Sequence, residues 1–406
     1  MTLGSAPDAP AQDGPLDPGA AAIERAQRRD RLILFVAVVI AVLGLGLFLR
    51  HLAFFIPTNA WGFDLDAYLD AARRLARGDL ALPGGSIYDA DALVGPFRPG
   101  PYKLFLYSPP FAAAMLPLTA ISIDSARVAW YVGRLVLFGV ACAVMPVRPS
   151  IRFLTFAIAA LTNPVIGDMN LGNVSVLVTS LLAITWRWLD RITGCVALAL
   201  AMTVRPILGL VLIWSLLRRR WWPVLWTVVA GIVIVLLSLP FVGIQTYQDY
   251  FTVLRNVYDV TGQDNNRDVG SLVLRVGGGP LLASIALYAG FAVAVGAMLL
   301  SLRYDRQTGF MVTIGATLLL SPLLWDHYLT TLLLTGAFLA HRGQWWGLAL
   351  PLLAWVTGPM TPLLALGATV LPFLVRRPRE DASTSTGDEP GFTERVDAAM
   401  GSVAGA

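Results

Sequence analysis

The chain has 406 residues, 56% of them hydrophobic and only 14% charged, with a formal net charge of +4 and a mean hydropathy of +0.66. A soluble domain carries about a quarter charged residues, so composition excludes a soluble protein, and the apolar runs are too long and uniform for barrel strands. The basic balance is no sign of nucleic acid, because the arginines cluster at the ends of apolar runs, where they set topology.

An all-α, polytopic integral membrane protein remains. Residues 1–30, rich in Ala, Pro, Gly and Asp, read as a disordered cytoplasmic tail ending in Arg25, Arg28, Arg29 and Arg31. The apolar run that follows lacks a small-residue cleavage site and reads as a retained helix rather than a signal peptide. Further arginines recur at Arg148/Arg152, Arg187/Arg191, Arg218–Arg220, Arg303/Arg306, Arg342 and Arg376/Arg377/Arg379. If all face the cytoplasm, the outward tips are Asn163-Pro164, Val204-Arg205-Pro206, the 244–270 loop, Ser321-Pro322 and Gly358-Pro359. Four of these contain Pro, which interrupts a helix.

The spacing predicts about twelve spans, near 32–49, 128–147, 153–165, 173–187, 192–204, 206–217, 221–243, 280–302, 310–322, 326–340, 347–357 and 361–375. Several fall short of the ~20 residues a perpendicular helix needs, as expected of broken helices that build a cavity. Segment 104–122 reads as re-entrant or interfacial, since an even number of crossings keeps both ends inside. The membrane domain thus covers 31–377, with outer loops 50–108 and 244–270, and an acidic cytoplasmic tail follows at 378–406. Amphipathic patterns in 65–77 and 244–260 suggest helices on the membrane surface. Cys142 and Cys195 lie inside apolar runs, which speaks against a disulfide framework or a metal site.

Polar residues concentrate at the outward tips: Asp64 and Asp66; Lys103, Tyr107 and Ser108; Asn163, Asp168 and Asn170; Asn173 and Ser175; Arg205; Asn265 to Arg267 and Ser271; and Trp325, Asp326 and His327. Polar groups at membrane depth are candidates for function, and tips on one face suggest a site assembled between helices. Each also has a plainer reading. Asp64 could cap a helix, Asp66 could face solvent, His327 could bond within its own turn, and Lys103 could snorkel. Arg134, inside a span, points either to a structural pair or to a cavity.

Asp64-Leu65-x-x-Tyr68, Tyr107-Ser108-Pro109-Pro110-Phe111, Asn163-Pro164, Leu171-Gly172-Asn173-Val174-Ser175, Arg205-Pro206, Asn266 through Ser271-Leu272, and Leu320 through His327 occur in this order. In that order they resemble the actinobacterial members of glycosyltransferase family 87. The resemblance implies a GT-C fold and a polyprenol-phosphate-mannose-dependent α-(1→2)-mannosyltransferase of envelope glycolipid synthesis. Many members have Gly-Gln-x-Asn where this chain has Gly172-Asn173-Val174-Ser175, and Lys-x-x-Pro-type sequences near Arg205-Pro206. The Asn-x-Ser element is interrupted by Arg267–Gly270, and these departures leave sugar and acceptor open.

The chemistry fits the resemblance. A sugar on polyprenyl phosphate already has its leaving group, so no metal or cofactor is expected; the lipid-linked sugar is a donor substrate. One carboxylate can deprotonate the acceptor hydroxyl, while cations and hydrogen-bond donors meet the phosphate charge. Asp64 is therefore the expected base, with His327 the second catalytic candidate, near the phosphate. Tyr68, Lys103, Tyr107, Asn173, Arg205, Asn266 and Asp326 are the candidates for donor phosphate and sugar binding. The acceptor would be a glycolipid or polysaccharide hydroxyl outside a bacterial plasma membrane. Competing readings are an arabinosyltransferase, a lipid or sugar transporter or flippase, and a non-catalytic scaffold.

Overall fold

The computed structural model describes residues 18–58, 61–81, 85–94, 104–257, 266–356 and 360–375, and the described residues contain helices and no strand. The chain divides into two units, Met1–Leu374 and Val375–Ala406, and every element below belongs to the first.

Helix α1, Pro18–Phe55, starts well before the first apolar residue of the span, so the expected tail boundary at residue 30 falls inside a helix. After a turn comes α2, Phe63–Arg77, entered at Gly62 (φ 72°) and closed by Gly78 (φ 75°), whose N–H bonds the carbonyls of Arg74 and Leu75. Its apolar face buries Leu65, Tyr68, Leu69 and Ala72 against α4 (Pro109–Met115). Protein, rather than membrane surface, therefore covers that face. The short α3, Ala90–Val94, lies between them. Segment 104–122 forms no helix long enough to count as a span. Two prolines open the seven-residue α4 at positions that lack helical partners anyway, and a 3-10 turn, Leu116–Ala120, follows.

Next come α5 (Ile123–Val144), α6 (Pro149–Ala159) and α7 (Asn163–Leu171). The last two are bent by 61°. Asn163-Pro164 is thus the start of a helix and not a hairpin tip. The chain continues through α8 (Ser175–Trp188), α9 (Ile192–Val204), α10 (Gly209–Leu217) and α11 (Trp221–Val257). It ends with α12 (Val269–Arg275), α13 (Pro280–Ser301), α14 (Arg306–Leu319), α15 (Leu332–His341) and α16 (Met360–Val370). The breaks expected at Val204-Arg205-Pro206 and Ser321-Pro322 are present; Gly358-Pro359 lies outside the described residues.

Among the described residues, four helices are long and apolar enough to cross a membrane: Gln27–Phe55, Ile123–Val144, Trp221–Asn256 and Pro280–Ser301. Counting the bent α6–α7 pair as one span makes five. Only 17–22% of the most apolar stretch of each long helix is buried, whereas α14 is buried at nearly every position. Long helices therefore offer apolar surface to lipid around a core of short ones, as an all-apolar interior helix requires. Twelve crossings would need the shorter apolar helices to cross as well.

Three arginine clusters, Arg218–Arg220, Arg303/Arg306 and Arg342, meet at one pole, while Arg376, Arg377 and Arg379 lie outside the described residues. Asp190 accepts from Arg220 at 2.9 Å and pairs with Arg306, Asp305 pairs with Arg342 at 2.9 Å, and Arg218 donates to the Tyr304 carbonyl at 3.0 Å.

Candidate active site

A buried ion pair organises the opposite pole. Arg134 of α5 meets Asp168 of α7 at 2.9 Å, with both side chains essentially inaccessible. A buried pair holds only if its remaining donors and acceptors are used, and here they are. Arg134 also donates to the carbonyls of Met169 (3.2 Å) and Asn173 (2.5 Å). Asp168 accepts the first free amides of α8, from Ser175 (2.6 Å) and Val176 (3.3 Å). Arg134 thus has the structural role that its sequence position left open, fixing the 168–176 turn.

That turn receives the start of α2. Gly172 adopts φ 76°, and a Cβ there would lie 2.8 Å from Leu65 Cβ, so glycine permits both the left-handed backbone and the close approach. The Gly62 amide donates to the Asn170 carbonyl at 2.9 Å. Docked this way, Asp64 accepts a 2.8 Å hydrogen bond on Oδ2 from Asn173 Nδ2. Asn173 Nδ2 also reaches Tyr107 Oη at 3.5 Å, and Tyr68 Oη donates to Tyr107 Oη at 3.2 Å. Asp64 does not cap α2: the cap residue is Gly62, without a side chain to bond.

Asp64, Tyr68, Tyr107, Arg205, Tyr250 and Tyr328 line a cavity of about 330 Å³ whose other walls include Leu104, Leu106, Ile207, Leu254 and Leu323. Arg205 leaves the end of α9, bonds Ser175 Oγ and lies 3.5 Å over the Tyr328 ring. Its Nε is buried with no hydrogen-bond partner, and no ion pair among the described residues engages it. A buried guanidinium in that state is prepared for an anion. Burial drives the Asp64 carboxyl up to about 6, outweighing the Asn173 hydrogen bond that favours the ionised form. A carboxylate near 6 is a competent base at neutral pH.

Five of the expected residues therefore gather: Asp64, Tyr68, Tyr107, Asn173 and Arg205. Asn173 is fully buried and touches Asp64 instead of lining the cavity. His327 stands just behind the wall, its ring 5.2 Å from Tyr328 and 5.4 Å from Trp325, with Nε2 buried and unpartnered. Asp326 is turned to other work, accepting from Thr361 (2.6 Å) and facing Arg267 (3.6 Å). Asn266 joins two segments, donating to the Pro322 carbonyl (2.8 Å) and accepting from the Leu324 amide (3.0 Å). The structure does not bring these last two to the cavity. Lys103 lies outside the described residues. Asp66 is held by both oxygens to Arg127, at 3.1 and 3.0 Å.

Three wall residues escaped the sequence reading as parts of a site. Tyr328 follows His327 with no polar signal of its own, and its role emerges only where Arg205 stacks on it. Tyr250 and Leu254 belong to the amphipathic 244–260 pattern, which had suggested a membrane surface. Gly243 breaks α11 (φ 70°, ψ 165°), and the arm beyond it closes over the cavity. Tyr250 stacks on Tyr88 at 6.2 Å, Asp249 accepts from Ser86 at 2.6 Å, and Asn256 bonds the Ala92 and Leu93 carbonyls.

Comparison with curated proteins and with solved structures gave no match. The family model for glycosyltransferase family 87 matches residues 105–322, from the strand of chain before Tyr107 through the Ser321-Pro322 break, and includes Arg134, Asp168, Asn173 and Arg205. The protein is therefore a membrane glycosyltransferase, and the chain belongs to family 87.

Proposed function

We propose that the protein transfers a sugar, namely mannose, from a polyprenyl-phosphate donor to a hydroxyl of a glycolipid or polysaccharide. The observation that carries this reading is one cavity holding a carboxylate poised near 6, an arginine whose buried Nε has no partner, and aliphatic walls. An apolar wall suits a prenyl chain, a guanidinium suits its phosphate, and a carboxylate suits the acceptor hydroxyl.

In the proposed step the acceptor oxygen attacks the anomeric carbon while Asp64 takes its proton. The bond from that carbon to the phosphate oxygen breaks, and the electron pair leaves with polyprenyl phosphate, whose charge Arg205 meets. A single displacement inverts the anomeric centre. Tyr68 and Tyr107 are placed to bond sugar hydroxyls, Asn173 to aim Asp64, and His327 to support the phosphate side through Tyr328. No metal or cofactor takes part in this scheme. The setting proposed is a GT-C arrangement with about twelve crossings in a bacterial plasma membrane, the cavity facing outward.

The test is transfer from radiolabelled polyprenyl-phosphate-mannose to membrane glycolipids in proteoliposomes. Asp64→Asn should lower the rate by about 10²–10⁴, the usual contribution of a general base, while melting normally. Equal rates for both proteins would move the base elsewhere. Wild-type transfer from the arabinosyl lipid but not the mannosyl lipid would overturn the sugar and keep the mechanism.

A further inference from the structure

Two other cavities flank α1 beside the α6–α7 bend. One, of about 200 Å³, has only apolar walls, among them Ala41, Leu45 and Phe48 of α1 with Ala160 and Val165 at the bend. The other, of about 330 Å³, is lined by Leu47, Arg50, His51 and Phe54 of α1 together with Leu161, Ile166 and Trp355. Residues 160 and 161, and 165 and 166, divide between the two linings at the bend. The cause is local. At Gly44 a Cβ would lie 3.0 Å from Ala160 Cβ, so α1 and α6 nearly touch there. The 61° bend then keeps α7 from continuing along α1, and a slot opens.

The slot has a polarity. Ala41 and Arg50 are separated by about 14 Å of helix at 1.5 Å per residue, close to half of a ~30 Å hydrocarbon core. The charged end is the end of α1 that leads into α2 and Asp64. Arg50 and His51 are exposed. Arg50 lies 5.8 Å over the Phe54 ring, and no ion pair among the described residues engages either side chain. Met169 and Val176, which flank the turn carrying Asn173, form part of the apolar wall.

We propose that this slot binds an anionic glycerophospholipid of the leaflet on the Asp64 side. Arg50 and His51 hold its phosphate, and one acyl chain lies between α1 and the bend. The site is separate from the donor cavity and stands whether or not the proposed donor is right.

Native mass spectrometry of the purified protein, supplied with phosphatidylglycerol and phosphatidylcholine in equal amounts, tests it without an activity assay. Wild type should retain phosphatidylglycerol preferentially. An Arg50→Gln/His51→Gln variant should lose about fivefold of that preference, the effect of one basic side chain on anionic lipid. Ala160→Trp, which fills the slot, should retain less of both lipids. Equal retention of the two lipids by wild type, or an unchanged preference in the double variant, overturns the proposal. Because both substituted residues of the double variant are exposed, that measurement stands even if Ala160→Trp fails to fold.

Discussion

Asp64 and Asn173 make a pair whose chemistry can be read from pH. In the proposed step the ionised carboxylate is the active form, and burial holds the group at about 6. Transfer should therefore fall as pH drops below about 6 and level off above it. Asn173 donates to the charged form, so removing that donor makes ionisation harder and raises the Asp64 pKa further. A hydrogen bond to a charged group is worth ~1.5–3 kcal/mol, and one pKa unit corresponds to ~1.4 kcal/mol. Asn173→Ala should then move the acid limb of kcat/KM upward by about one to two units, with a lower plateau because Asp64 is less well aimed. An unmoved limb would show that Asp64 is not the titrating base. Asp64 was legible in the sequence because a carboxylate just past an apolar run is conspicuous. Asn173's role was not, because a contact 109 positions away along the chain leaves no local trace.

The arm after Gly243 supplies Tyr250 and Leu254 to the cavity wall. At φ 70° and ψ 165° the backbone lies in a region essentially reserved for glycine, where another residue costs about 1–3 kcal/mol. A Cβ at Gly243 meets nothing within 4 Å, so the penalty of Gly243→Ala is backbone strain alone, and the arm carrying Tyr250 and Leu254 would change direction. KM for the lipid donor should rise several-fold with a smaller change in kcat. Gly231→Ala, also in open space but at an ordinary helical position of α11, should be neutral or slightly stabilising. Equal KM values for both variants and wild type would remove the arm from substrate binding. The helix up to Val257 was foreseeable from the alternation of apolar and polar residues after residue 244. Periodicity, however, reports that a face is apolar and not what meets it: Tyr88 and the cavity take Tyr250 and Leu254, while Phe251 stays exposed. The same limit applies to α2, and short crossings are blurred for a related reason: α14 and α15 read as spans because they are apolar all round, which an interior helix also is.

Charge divides the molecule into two ends. Asp190, Arg220, Arg306, Asp305 and Arg342 converge at one, and Asp64, Arg205 and the tyrosines at the other. The sequence anticipated this division because arginine placement and helix breaks act on the whole chain at once, whereas the number of crossings depends on where each short helix ends in depth. A lipid-linked donor on the outer face requires the Asp64 end to lie outside, and labelling can decide it. Cys142 and Cys195 are both buried, so the native thiols give little background. Ala90→Cys, on the exposed side of α3, should react with a membrane-impermeant maleimide in intact cells. Arg191→Cys, exposed beside Asp190, should react only after permeabilisation. The opposite pattern would put the cavity in the cytoplasm, where nucleotide sugars are available, and the lipid-phosphate donor would lose its main physical reason. Labelling of both sites in intact, impermeable cells would mean that these two ends do not face opposite sides of the membrane, and the positive-inside assignment of the whole chain would fall with it.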